Sequence, residues 1–273
     1  MTKSKVLLIG GIDSIGVPYT RDNKDRINHL KVVKNFLIEK FDEIQLIDMY
    51  CMNKYNTTSY IHELLTENYS LSTIRRNQKQ SIDLCRKSGI FQFIQLPKSM
   101  KEYYEESKEY DEIIISEEIK ENNAIFIYTC GANDFLTRMG TNLGELIFHK
   151  KMDEALIGID TIVNEVVDKI RGNVEELKKL NNNIEIYVLG IYIPTKYSYI
   201  RDKVTPPIEL FNNILKKACS QYDDVYYIDN SNLTVDAMAS VDWHPNSQGQ
   251  MLIGNNIISN IKKYSKIYNR STK

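Results

Sequence analysis

Five short apolar runs, 6–9, 44–47, 124–128, 184–189 and 225–228, are rich in β-branched or aromatic residues and read as continuous rather than alternating. A strand with one wet face alternates apolar with polar residues. A continuous run reads instead as a strand covered on both faces, the situation of a parallel sheet with helices above and below it. Helical spacing separates several of the runs. Residues 29–40 place Leu30, Val33, Phe36 and Leu37 at helical spacing, and residues 152–180 do the same with Met152, Leu156, Ile159, Val163, Val166, Ile170, Val174 and Leu177, three to four apart. A last helix is predicted over about 248–262, opening after Pro-Asn-Ser and carrying Met251, Leu252, Ile257, Ile258 and Ile261.

Strand and helix alternating along the chain predict one three-layer α/β/α sandwich of about five parallel strands with right-handed crossovers. Ligands of such sheets lie at the carboxyl ends of the strands. The turns after Ile9, Tyr128 and Leu189 therefore fall on one rim. The second and third runs are about 75 residues apart, more than one crossover helix needs. Residues 50–122 are expected to form a helical insertion that walls or covers the rim, or else a solvated decoration. No linker or repeat divides the chain, so residues 1–273 are read as a single domain.

Bulk properties narrow the partners. With 35 basic and 36 acidic residues the net charge is −1, so no global field draws the chain to nucleic acid or an anionic membrane. No apolar run reaches the ~18 residues of a membrane span, and no secretory h-region follows the N-terminus, so a cytoplasmic location is expected. Cys51, Cys85, Cys130 and Cys219 form no C-x-x-C pair, so free buried thiols are expected rather than zinc ligands or disulfides.

Three segments fall where the architecture puts a site: Asp13-Ser14 after the first strand, "CGANDF" (130–135) after the third, and "VDWHPNSQGQ" (241–250) before the last helix. The glycines at 10, 11 and 16 do not fit a dinucleotide-binding G-x-G-x-x-G. Gly16 fits the later glycine of G-x-S-x-G, but Ile12 occupies the earlier one. Taken alone, Ser14 could cap a helix, Asn133 and Asp134 could form a turn, and His244 could be a structural histidine beside Trp243.

In order and spacing, the three segments resemble the SGNH, or GDSL, hydrolases, which carry Gly-Asp-Ser, Gly-x-Asn-Asp and Asp-x-x-His-Pro blocks. The resemblance spans nearly the whole chain and implies a flavodoxin-like α/β/α fold and a serine esterase acting on a short-chain acyl ester, such as an O-acetyl group on a carbohydrate or small metabolite. It also implies a role for each matching residue. Ser14 would be the nucleophile, and His244 the base that a serine hydroxyl requires near neutral pH. Asp242 would orient the imidazole. The Ser14 amide and the Asn133 side chain, within the Gly131 block, would hold the oxyanion, and Ser72 or Thr73 would stand for a further block's glycine.

The chain departs from the pattern at two further points. Ile12 precedes Asp-Ser where the family has glycine, and Val241 occupies the usual acid position, with Asp242 only two residues before His244. A backbone carbonyl or Asp236 could orient His244 in its place. Lys196, Tyr197, Tyr199 and Arg201, after the fourth strand, would suit a polar or anionic substrate, or be loop decoration. The mechanism implies no metal or cofactor. A protein that binds an acylated or carbohydrate ligand without turnover, and an acyltransferase using the same serine, are the competing readings.

Overall fold

The computed structural model describes residues 5–10, 27–48, 57–67, 70, 114–129, 131–132, 134–135, 158–192, 198–237 and 245–270. Strands β1 (Lys5–Gly10), β2 (Glu43–Asp48), β3 (Asn123–Tyr128), β4 (Glu185–Leu189) and β5 (Val225–Ile228) form one sheet in the order β2-β1-β3-β4-β5. All its pairings are parallel. Each apolar run of the sequence is one of these strands.

The continuous runs have the expected cause. Val6, Leu8, Ile125 and Ile127 point into one core layer; Leu7, Ile9, Phe126 and Tyr128 point into the other. Helices α1 (His29–Leu37) and α6 (Ser247–Tyr264) cover the first face. Helices α2 (Thr57–Thr66), α3 (Ile115–Glu121), α4 (Ile159–Leu180) and α5 (Ser198–Cys219) cover the second. A short helix α7 (Lys266–Arg270) ends the described chain. The chain moves one way across the sheet from β1 to β2 and the other way thereafter, so right-handed crossovers must put α1 on the face opposite α2–α5.

The long segment between β2 and β3 contributes α2 and α3 to the layer itself. Ile61, Leu64, Leu65, Ile115 and Ile119 are buried in the main cluster. Residues 49–56, 68–69 and 71–113, on which the expected lid also falls, lie outside the described residues.

One helix is not legible from local rules. Helix α5 runs through Pro206 and Pro207, which each lack the amide that would close an i→i−4 bond. Its buried stripe of Val204, Ile208, Phe211, Leu215 and Cys219 continues across both prolines, and this apolar face holds the helix against β5 and α4. Just before the prolines, Thr205 Oγ1 donates to the Arg201 carbonyl at 2.7 Å, the usual back-bond of a helical threonine. Tyr199 and Arg201 thus belong to the first turns of α5, while Lys196 and Tyr197 lie outside the described residues. Cys219 is a free buried thiol whose pKa burial pushes up to about 12; the other three cysteines lie outside the described residues. Among the described residues no helix is long and apolar enough to cross a membrane.

Candidate active site

In a 2-1-3-4-5 sheet the chain leaves β1 and β3 in opposite directions, so the crevice at their carboxyl ends is the switch point. Ser14 follows β1 by four residues and Asn133 follows β3 by five. Ser14, Ser72, Asn133, Asp242 and His244 lie outside the described residues. The structure defines the framework from which each of their segments departs.

At the end of β1, Gly10 lies so close to β3 that an added Cβ would meet the Ile127 carbonyl at 2.7 Å. A side chain here would push the two site strands apart. Beyond β3, Gly131 takes a φ of +109° and packs beneath Ile170, whose Cδ1 would lie 2.9 Å from an added Cβ. Glycine is required at this corner for both reasons. The chain then turns at once into a helical turn, with the Phe135 amide donating to the Gly131 carbonyl at 2.9 Å. Phe135 is buried against Phe211, their ring centroids 5.2 Å apart.

Asp134, beside Asn133, is buried. Its carboxylate accepts the Thr58 hydroxyl at 2.5 Å and the Thr58 amide at 3.4 Å, and so caps the N-terminus of α2 from another part of the chain. The network extends inward. Asn173 of α4 donates to the Thr58 carbonyl at 2.7 Å and to the Tyr128 hydroxyl at 2.9 Å, using both amide hydrogens.

The third segment is placed by α6. Asn246 caps this helix, its Oδ1 accepting the Gly249 amide at 3.1 Å, and its Nδ2 donates to the Asp236 carbonyl at 2.6 Å. Gly249 fits only as glycine, since an added Cβ would lie 2.3 Å from the Ala237 carbonyl. Asp236 itself sits exposed on the 3-10 turn Val235–Ala237. One turn into α6, Gln250 Oε1 accepts the His29 backbone amide at 3.1 Å and pairs with His29 Nδ1 at 2.8 Å. One turn further, Gly254 packs on Val32 of α1. The two helices therefore run side by side in the same direction. Because α1 departs from the carboxyl edge after β1, α6 starts there too.

His29 Nε2 is buried and has no hydrogen-bond partner among the described residues. Burial lowers the pKa of this imidazole to about 4, with the Gln250 bond opposing the shift. The unfolded chain takes up this proton near pH 6.5 and the native chain only near 4, so acid favours unfolding. About 3 kcal/mol of stability present above pH 6.5 is expected to be lost as the pH falls to 4. Denaturant midpoints measured across that window should fall less steeply in His29→Gln than in the unaltered protein.

Behind the rim, Asn212 of α5 brackets Ile191, accepting its amide at 2.9 Å and donating to its carbonyl at 2.7 Å, which fixes the chain leaving β4. Among the described residues no group of three or more His, Cys, Asp or Glu side chains could hold a metal ion. Motif reading did not find Thr58, Asn173 or Gln250. A signal was present for two of them: Asn173 and Gln250 are polar residues in phase with the buried stripes of their helices.

Comparison with solved structures agrees with this topology over almost the entire chain. The similar structures include a lipase from a goat-rumen metagenome, 14% identical with a TM-score of 0.59, covering 97% of this chain and 99% of that one. The five parallel strands, their flanking helices and this superposition decide the matter. The chain has the SGNH-hydrolase fold.

Two further structures show that fold. An extracellular lipase of Streptomyces rimosus is 11% identical with a TM-score of 0.52, covering 94% of this chain and 99% of that one. Phospholipase A1 of Streptomyces albidoflavus is 11% identical with a TM-score of 0.50, covering 96% and 100%. No protein-family model matches the sequence, and no curated protein does. In this fold the ends of β1 and β3 flank the switch point, and α6 lies on the same face of the sheet as α1.

Proposed function

We propose that the protein is a serine-dependent esterase that removes a short acyl group from an oxygen ester through an acyl-enzyme on Ser14. The observation that carries this reading is convergence. The described residues nearest to Ser14, Asn133 and His244 in the chain, Gly10, Asp134 and Pro245, are far apart in sequence, yet all lie toward the carboxyl edge of one sheet, which supports this reading. The lipases and the phospholipase A1 of like fold support an ester as substrate.

In this mechanism Ser14 Oγ attacks the ester carbonyl carbon while His244 takes its proton, then hands it to the departing alkoxide as the C–O bond breaks. The Ser14 amide and the Asn133 side chain, with the amides of Gly131 and Ser72 as further candidates, stabilise the oxyanion. Water, deprotonated by His244, then releases the acid. The substrate is a small-molecule ester, with an O-acetyl group on a sugar or metabolite as the leading class. Its reaction requires no cofactor.

The unusual acid position gives a specific test. If Asp242 orients His244, Asp242→Asn is expected to lower kcat on a short-chain nitrophenyl ester by about 10⁴-fold, comparable with His244→Ala. A rate within a few-fold of the unaltered protein would transfer the orienting role to another group. Absence of hydrolysis across acetyl to butyryl esters by well-folded protein would favour the ligand-binding reading, which the Val241 substitution at the usual acid position keeps in view.

A further inference from the structure

The buried network behind Asn133 has a chemical consequence beyond holding helices together. In the sequence Asn133 stands between Ala132 and Asp134, and the residues on either side of it are fixed by Gly131 under Ile170 and by Phe135 on Phe211. The Asp134 side chain ties this stretch to α2 by accepting hydrogen bonds from the Thr58 hydroxyl and amide. Thr58 is held in turn by Asn173, which is anchored on Tyr128 at the end of β3. The bonds close a loop from β3 through α4 and α2 back to the turn that follows β3. A donor that stabilises a developing oxyanion must be fixed before reaction, and a displacement near 1 Å costs about 100-fold in rate.

We propose that Asp134, Thr58 and Asn173 are positioning residues for the oxyanion donor Asn133, which makes α2, from the long segment between β2 and β3, part of the catalytic apparatus. This inference rests on the esterase reading. Thr58 reaches the turn through Asp134 and touches no reacting atom in this scheme. Its loss should therefore appear in kcat, with substrate affinity unchanged.

The test is steady-state hydrolysis of a short-chain nitrophenyl ester by Thr58→Val, which keeps the side-chain shape and removes the hydroxyl, and by Thr58→Ser, which restores it. Thr58→Val is expected to lower kcat about tenfold with KM unchanged, and Thr58→Ser to recover most of the rate. In an Asn133→Ala background Thr58→Val should cost nothing further, because the group it positions is already gone. A purely structural role would lower the melting temperature and leave kcat unchanged at temperatures where the variant is folded. That result, or an undiminished effect in the Asn133→Ala background, overturns the proposal. If Thr58→Val does not fold, Tyr128→Phe, which removes the acceptor at the far end of the network, carries the same kcat test with about a threefold loss expected. Failure of the esterase reading is seen separately, as absence of hydrolysis in the unaltered protein.

Discussion

Ser14→Ala is expected to lower kcat on short-chain esters by about four to six orders of magnitude without altering the fold. The size follows from the role. Without the hydroxyl no acyl-enzyme forms, and the residual rate comes only from binding and oxyanion stabilisation of direct attack by water. Stability should change little, because the substitution removes one hydroxyl and no apolar volume. Circular dichroism and thermal melting alongside the assay separate the two effects. Retained hydrolysis in a folded Ser14→Ala protein would reject the mechanism outright.

Asn133→Ala is expected to lower kcat by about 100- to 1,000-fold, equivalent to about 3–4 kcal/mol of transition-state stabilisation, with KM changed by less than about threefold. The ground-state carbonyl oxygen carries little charge, whereas the tetrahedral oxyanion carries nearly a full one, so the amide contributes mainly in the transition state. The neighbouring residues explain why the substitution should be clean. Gly131, Asp134 and Phe135 hold the turn through backbone conformation, a carboxylate cap and ring packing, none of which uses the Asn133 side chain. A loss confined to KM would make Asn133 a substrate-affinity group instead.

The sheet was legible because its strands are buried on both faces, and burial on both faces leaves an uninterrupted apolar run. The N-terminus of α6 was legible for a local reason too, since Pro-Asn-Ser places a cap next to a helix start, and Asn246 is that cap. Helix α5 was hidden because the local penalty of Pro206–Pro207 is visible in sequence while the long-range packing that overcomes it is not. The polar network was hidden for the same kind of reason. Thr58 meets Asp134 across 76 residues and Asn173 across 115, and no local spacing rule connects them. In the candidate site the order of the motifs and the strands that two of them follow could be read from the sequence. The residues that hold the motif segments had to come from the fold.

The most direct test of an activated serine at this edge is reaction of the purified protein with a fluorophosphonate, read by intact mass and peptide mapping, with Ser14→Ala and His244→Ala alongside. The account predicts one adduct per chain, on Ser14, absent from Ser14→Ala and strongly slowed in His244→Ala. No adduct on folded protein, or an adduct on another residue that survives in Ser14→Ala, would contradict it.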